Sequence, residues 1–148
     1  MIDNGLQSYR KTNVVTADPG KLVLMCYEGA IDSLKIAVQK YRGNDFEGKC
    51  SAIGRAEDII DELRCSLDFE KGGAIAANLG SLYNYMVRRI LQSDVSRDIG
   101  GLQEVIGMLE ELKAAWEVVI KKQAGPVGQN VARFGATPRQ TTLGRISV

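Results

Sequence analysis

No proline interrupts the chain between Pro19 and Pro126, and the third proline, Pro138, lies beyond that stretch. Because proline removes a backbone donor and breaks helices, a run of over a hundred residues without it favours long uninterrupted helices. Apolar residues recur through this run at steps of three and four, which is the spacing of one helical face. No alternating pattern typical of strands competes with it, so the sequence predicts an all-α protein.

Four amphipathic segments can be bounded by caps and breakers. The first helix has cap candidates Thr16 and Asp18 and Pro19 in its first turn; it runs to about Tyr41 and stops at Gly43-Asn44. The second helix starts near Asp45 and ends within residues 66–73. The third begins after Gly72-Gly73 and ends near Gln92-Ser93. The fourth is capped by Ser96 and ends at Lys121-Lys122. Short connections predict an antiparallel four-helix bundle.

The two ends of the chain differ from the bundle in composition. We assign residues 1–122 to one bundle domain, in which residues 1–17 form an N-terminal cap or lid segment. Residues 123–148 are rich in Gly, Pro and Thr, contain three arginines (Arg133, Arg139 and Arg145) and lack acidic residues. This composition predicts a flexible C-terminal tail.

Charge and residue usage exclude several classes of function. Nineteen basic residues balance eighteen acidic ones, which argues against a nucleic-acid-binding protein. The chain contains no histidine, so His-dependent catalysis, His-ligated zinc and His phosphorelay are excluded. We therefore expect no enzyme activity, no cofactor and no metal. Without a long apolar run or a leader-like start, membrane insertion is not expected either, and we predict a cytoplasmic protein.

One apparent nucleotide-binding motif is interpreted as a chance match. Residues 43–50 match the G-x-x-x-x-G-K part of a phosphate-binding loop, but Cys50 stands where a Ser or Thr should hold magnesium. A helix, rather than a strand, precedes the motif, and Asp45 and Glu47 would repel phosphate. The carboxylate pairs on the helices are likewise typical of solvated faces. Cys26, Cys50 and Cys65 lack metal-site spacing and are interpreted as reduced, buried residues.

The first helix carries more apolar residues than one core stripe can bury. Val23, Tyr27, Ala30 and Leu34 form one stripe, whereas Leu22, Met25 and Ile36 fall on another side of the helix. Two interpretations stay open. The segment before Pro19, with Leu6, Tyr9, Val14 and Val15, folds back as a permanent cover, or it acts as a removable lid over a groove for a partner's amphipathic helix.

In the third helix, Tyr85 lies beside Asn78 and Arg89, outside the predicted core stripe of Ile75, Leu79, Leu82, Tyr83, Met86 and Ile90, and this cluster suits recognition.

Several blocks of the sequence closely resemble a known family. They are Tyr9, Val15-Thr16-Ala17-Asp18-Pro19-Gly20-Lys21-Leu22, Met25-Cys26-Tyr27-Glu28-Gly29-Ala30-Ile31, Arg55-Ala56, Ile59-Ile60, Glu62-Leu63, Asn78-Leu79, Leu82-Tyr83, Tyr85-Met86, and Leu112 with Trp116. Across about residues 9–120 the chain resembles the flagellin export chaperone family, FliS. The resemblance implies a cytoplasmic bundle that binds the disordered C-terminal segment of flagellin, prevents premature polymerisation and assists export. The tail has no counterpart in this resemblance.

The resemblance and the spare apolar surface together predict a client site. We expect a client-binding groove formed by Leu22, Met25, Ile59, Asn78, Tyr85 and Met86, covered by an N-terminal lid containing Leu6 and Tyr9. The flagellin C-terminal segment is the expected partner; export apparatus components and other flagellar regulators are candidate further partners. The chain is expected to be a monomer or a weak homodimer. The alternative is a homodimeric helical adaptor without a flagellin client, in which the spare stripe is buried between two copies.

Overall fold

The computed structural model describes residues 19–123, which form four helices joined by short connections at residues 43–45, 66–68 and 97–98. Helix α1 spans Pro19–Arg42, α2 Phe46–Cys65, α3 Phe69–Ser96 and α4 Ile99–Gln123. No strand occurs within this described part of the chain. The prediction of an all-α protein is therefore confirmed. The predicted lid, residues 1–17, and the predicted tail after Gln123 lie outside the described residues.

Contacts between the helices establish the antiparallel arrangement. Helices α1 and α3 each pack against α2 and α4, and the backbones of α1 and α3 do not touch, so these two are diagonal. Near the end of α4, the indole Nε1 of Trp116 donates to the backbone oxygen of Gly20 at the start of α1, 3.0 Å away. The rings of Tyr41, at the end of α1, and Phe46, at the start of α2, are 6.4 Å apart. The molecule is thus the predicted four-helix bundle.

The core is formed by one apolar stripe from each helix. The predicted α1 stripe is confirmed, because Val23, Tyr27, Ala30 and Leu34 are all buried. The largest fully buried side chains are Tyr83, Leu34, Ile60, Leu63, Met86, Ile90, Leu102, Leu109, Val23 and Val105. Of the three cysteines, Cys26 is buried, whereas Cys50 and Cys65 are exposed, so the prediction of burial was wrong for the latter two.

A polar cluster fastens three helices at one end of the bundle. The carboxylate of Asp94 in α3 accepts a hydrogen bond from Lys49 Nζ of α2 at 2.5 Å and another from the Tyr41 hydroxyl of α1 at 3.2 Å. Lys49 is buried, and its hydrogen bond with Asp94 raises the pKa of the lysine. A buried ammonium with its counterion in place ties α2 to α3 at this end, and removal of the counterion would leave the charge uncompensated.

Helix starts follow local capping, which agrees with the sequence prediction at α2 but not at α3. Asp45 caps α2 and accepts from the Gly48 amide at 2.9 Å, as expected. Helix α3 begins at Phe69, with Asp68 accepting from the Lys71 amide, and it bends at Gly73. The long regular part of this helix therefore begins after Gly73, as predicted, and the helical turn at residues 69–72 that precedes it was not expected. The bend needs glycine, because φ is +52° and ψ is −128° there.

The turn between α3 and α4 also differs from the prediction. Ser96 is the last residue of α3 and does not cap α4. Arg97 follows with a left-handed φ of +55°, and the carboxylate of Asp98 accepts from the Gly100 amide at 3.0 Å. Asp98 therefore performs the capping that the sequence analysis assigned to Ser96.

Candidate functional site

The outer side of α1 carries an apolar strip that the core does not use. Leu22 and Met25 are half-buried, and Ile36 is 37% exposed. This set is called the α1 stripe. It lies beside α2, because a Cβ at Gly29, which is on the same side of α1, would come within 3.2 Å of the Ile59 Cδ1 atom. The structure thus brings Leu22 and Met25 to the seam with α2, where Ile59 also packs.

Two of the predicted groove residues belong to the core. Met86 has no exposed surface and Ile59 is buried beneath the seam between α1 and α2. A direct contact between Met86 and a client would require the bundle to open. Both side chains support the surfaces above them in the described conformation.

Helices α3 and α4 approach closely at the end where they are connected. A Cβ at Gly101 would lie only 2.7 Å from the Ser93 Cβ, so the two backbones nearly touch there. One turn further, the Glu104 carboxylate accepts hydrogen bonds from the Tyr85 hydroxyl and from Arg89 Nε, the latter at 2.9 Å. These contacts define the facing sides of the two helices.

Beyond these contacts, exposed and half-buried apolar residues continue along the same sides of the two helices. Steps of three and four from Tyr85 and from Glu104 give the residues on these sides. They are Ile75, Asn78 and Leu82 on α3, and Met108 and Ala115 on α4. Leu82 is 37% exposed and Ile75 42%. This set is called the α3–α4 groove, and it places Asn78 and Tyr85, two predicted site residues, at one apolar surface.

A charged network closes one end of the α3–α4 groove. Hydrogen bonds from Tyr85 and then from Arg89 lower the pKa of the Glu104 carboxyl. The same hydrogen bond to Glu104 raises the pKa of the Tyr85 hydroxyl. Near neutral pH, Glu104 is therefore ionised and Tyr85 is protonated, which is the pairing that holds the tyrosine ring against α4. Its hydroxyl is thus held at Glu104, and the side chain stays half-buried beside α4.

The predicted site residues lie on two surfaces, not in one groove. Leu22 and Met25 belong to α1, whereas Asn78 and Tyr85 belong to α3, its diagonal neighbour. The backbones of these two helices make no contact; side chains join them in the core through Tyr27 and Tyr83, and at one end of the bundle through Tyr41 and Asp94. The lid residues Leu6 and Tyr9 lie outside the described residues.

Sequence reasoning missed part of the α3–α4 groove. Ile75 and Leu82 were expected in the core, but both are substantially exposed. The α4 side of this surface, including Met108, was not anticipated as a recognition surface. The helical spacing of Ile75, Asn78, Leu82 and Tyr85 was an available signal, since these residues share one side of α3.

The seam between α1 and α4 is polar by contrast. It holds a cleft of about 670 Å³ that includes Glu28, Lys35, Glu110 and Lys113. Lys113 pairs with Glu28 at 3.3 Å, and Lys35 pairs with Glu110 at 3.4 Å, across the cleft. Within residues 19–123 no group of three or more Cys, Asp or Glu side chains is arranged to hold a metal ion, and no helix is long and apolar enough to cross a membrane.

Comparisons with known proteins agree with the resemblance seen in the sequence. The profile of the family described as flagellar protein FliS matches residues 2–123. The chain is 34% identical over 122 residues to the flagellar secretion chaperone FliS of Bacillus subtilis, covering 82% of this chain and 90% of that protein. It is 36% identical over 124 residues to the protein of the same name from Salmonella typhimurium, covering 80% and 92%. For the Vibrio cholerae protein of that name, identity is 37% over 118 residues, covering 77% and 87%. This chain therefore belongs to the FliS family of flagellar secretion chaperones.

Proposed function

We propose that this protein is a cytoplasmic export chaperone that binds the disordered, amphipathic C-terminal segment of flagellin, prevents premature polymerisation and assists export. Membership of the FliS family supports the chaperone role. The observation that carries the flagellin-binding step is the presence of two apolar surfaces, the α1 stripe and the α3–α4 groove, on a bundle whose core is already filled. Spare apolar surface of this kind marks a binding site.

The positions of the two surfaces determine the kind of client that can use both. They lie on diagonal helices, so a compact globular partner would reach one of them only. A disordered segment can wrap around the bundle and fold as it binds. Its apolar faces, which would otherwise pair with other flagellin subunits, are then covered. The ordering of the client costs about 2–5 kcal/mol or more, which keeps a large contact releasable for export.

The predicted residues take distinct roles in this proposal. Leu22 and Met25 contact the client on the α1 stripe after the lid, with Leu6 and Tyr9, has been displaced. Asn78 and Tyr85 contact it along the α3–α4 groove, together with Leu82 and Ile75. Ile59 and Met86 act by supporting these surfaces from beneath. The function requires no chemical step, so no catalytic residue or cofactor is assigned.

Calorimetric titration with a synthetic flagellin C-terminal segment tests the proposal. Saturable one-to-one binding of the native peptide, with no binding of a scrambled peptide of equal composition, is the expected result. Leu82→Ser should weaken binding about tenfold, the usual effect of removing a buried apolar anchor. Val95→Ser is the matched control, because Val95 is a 77% exposed apolar residue of the same helix outside the groove.

Two outcomes contradict the proposal. The first is absence of binding by calorimetry and by a second method, such as fluorescence anisotropy of a labelled peptide. The second is an equal loss of affinity in Leu82→Ser and Val95→Ser, since the groove would then have no special role. Light scattering that shows an obligate dimer, with the α1 stripe buried between copies, would favour the homodimeric adaptor instead.

A further inference from the structure

The polar cleft between α1 and α4, called here the α1–α4 cleft, has room for side chains of another molecule. Its volume is about 670 Å³, and residues of both helices line it. The buried side chain of Ile31 forms an apolar floor. Gly29 on α1 and Ala114 on α4 line the cleft with no side chain or with a single methyl group, so little of the space between the helices is filled. The proposed client binding uses none of these residues.

The charged residues of the α1–α4 cleft do not balance one another. Four carboxylates and two ammonium groups line it, namely Glu28, Asp32, Glu110, Glu117, Lys35 and Lys113. Both lysines are already used, because Lys113 pairs with Glu28 and Lys35 pairs with Glu110. Asp32 and Glu117 are exposed and have no ion-pair partner among residues 19–123. The cleft therefore keeps two uncompensated negative charges, which favour a ligand with cationic groups.

The two uncompensated carboxylates lie towards opposite ends of the α1–α4 cleft. Glu28 of α1 is level with Lys113 of α4, because their side chains pair. Asp32 is four residues further along α1, and Glu117 is four residues further along α4. Since the two helices run in opposite directions, these carboxylates are about 12 Å apart along the bundle, at 1.5 Å per residue. A partner helix presents two side chains at this spacing when they are seven or eight residues apart.

We propose that the α1–α4 cleft is a docking site for a helical segment of a second protein that carries two Lys or Arg residues seven or eight positions apart. One of these cations pairs with Asp32 and the other with Glu117. Small apolar residues between them face Ile31 at the floor of the cleft. A protein segment is favoured over a free polyamine, because a thin polyamine chain would leave most of this volume to water.

The α1–α4 cleft is separate from the surfaces assigned to the client. It lies between α1 and α4, whereas the α1 stripe lies beside α2 and the α3–α4 groove is on another side of the bundle. The docking site therefore stays open in a chaperone loaded with its client, a consequence that rests on the proposed function. Contact through a few exposed ion pairs is weak and is screened by salt. Such a contact suits a partner that binds the loaded chaperone briefly and then releases it.

Binding of a designed peptide to the full-length protein tests the docking site. The probe is a fluorescently labelled, alanine-rich helical peptide with arginine at two positions seven residues apart, and the control peptide carries glutamine at both positions. Fluorescence anisotropy should show saturable binding of the arginine peptide alone. Its affinity should fall when the salt concentration is raised about tenfold, because exposed ion pairs are screened.

Charge-removing variants of the protein locate the binding. Asp32→Asn/Glu117→Gln should lower the affinity for the arginine peptide at least about threefold, as expected for the loss of two exposed ion pairs. Glu47→Gln/Glu70→Gln is the matched control and should bind as the unmodified protein does. It removes the same net charge from two exposed positions that do not line the cleft. All four side chains are exposed, so both variants should melt at the temperature of the unmodified protein.

Three outcomes would overturn the docking proposal. The first is absence of binding by the arginine peptide, and the second is an equal loss of affinity in the two double variants, which would assign binding to net charge. The third is displacement of the peptide by an equal concentration of spermidine, which would assign the cleft to a free polyamine.

A flagellin arm is read separately. A saturating amount of the flagellin C-terminal segment should leave the affinity for the arginine peptide unchanged. Loss of arginine-peptide binding under this condition would overturn the separation of the two sites alone. Absence of flagellin binding would overturn the proposed function, while the arginine-peptide titration still decided the docking.

Discussion

The hydroxyl oxygens of Tyr27 and Tyr83 lie 2.6 Å apart in the middle of the core. Both side chains are buried, and they come from the diagonal helices α1 and α3. A polar pair at this place satisfies one hydroxyl with the other and relates the register of two helices whose backbones do not meet. The Tyr27–Tyr83 hydrogen bond therefore determines how α1 and α3 are aligned as well as stabilising the bundle.

A double-mutant cycle measures this contribution. Tyr27→Phe leaves the Tyr83 hydroxyl buried without its partner, and Tyr83→Phe does the converse, so each single variant should lose about 1–3 kcal/mol of unfolding free energy. The double Phe variant should lose less than either single variant, because no orphan hydroxyl is left. Urea unfolding followed by circular dichroism gives the three differences. Simple additivity of the single losses would show that the hydroxyls are not coupled.

The same pair predicts how stability changes at alkaline pH. Burial raises the pKa of Tyr27 to about 12 and raises that of Tyr83 as well, mainly by disfavouring the charged tyrosinate. A folded-state pKa above the unfolded value of about 10 means that stability is fully present below pH 10 and is lost as pH rises through the folded pKa. Between pH 9.5 and 11.5 the unmodified protein should lose more unfolding free energy than the double Phe variant. Parallel curves for the two proteins would contradict this assignment.

At the scale of the helix, the spacing of α3 and α4 depends on a glycine. Gly101→Ala would place a Cβ within 2.7 Å of Ser93 Cβ, which cannot move away without its helix. The expected loss is about 1–3 kcal/mol, as for other overpacked contacts. Gly107→Ala in the same helix is the control, because a Cβ there meets nothing within 4 Å, and it should stabilise α4 by about 0.5–1 kcal/mol. Thermal unfolding of both variants tests this expectation, and an equal gain in stability in both would show that the close approach of α3 and α4 does not require Gly101.

Helix positions were predictable to the extent that local signals determine them. Pro19 and the Gly43-Asn44 stop bound α1 as expected, and Asp45 caps α2. The error at Ser96 has a cause outside local spacing. Asp98 caps α4 instead, and the Ser93 hydroxyl donates to the Asp98 carbonyl oxygen across the turn. Contacts of this kind could not be predicted, because the spacing of residues along the sequence does not show which side chains meet in the folded protein.

The candidate site was less predictable than the helices. Helical spacing separated the α1 stripe from the core correctly, because that distinction depends on one helix alone. It placed Leu82 in the core, although Leu82 is exposed. It also placed Met86 in the core stripe, where it is fully buried, so the assignment of Met86 to the client groove was the less accurate of its two predictions. Which residue of a stripe is covered depends on where the neighbouring helix lies. Helices α3 and α4 are close at Gly101, and the walls beyond Glu104 carry exposed apolar residues.

Across the whole molecule, polar and apolar seams are distributed unequally. Ion pairs span the α1–α4 seam, whereas the α1 stripe and the α3–α4 groove present apolar side chains. In the proposed function, a client that covers apolar surface would therefore bind two sides of the bundle and avoid the third. The N-terminal segment precedes Pro19 and is close in sequence to Leu22 and Met25, so its proposed role as a lid can be tested at Tyr9.

Tyr9→Ala distinguishes a removable lid from a part of the core. If Tyr9 only covers the α1 stripe, the bundle should stay folded and lose no more than about 0.5 kcal/mol, as for a surface substitution. The Met25 methyl signal should nevertheless shift, because its cover is weakened. Tyr27→Ala is the matched control; this buried tyrosine of α1 should cost about 3–5 kcal/mol. A melting temperature of Tyr9→Ala that falls as far as that of Tyr27→Ala would place Tyr9 in the core, and the N-terminal segment would then be a permanent element of the fold.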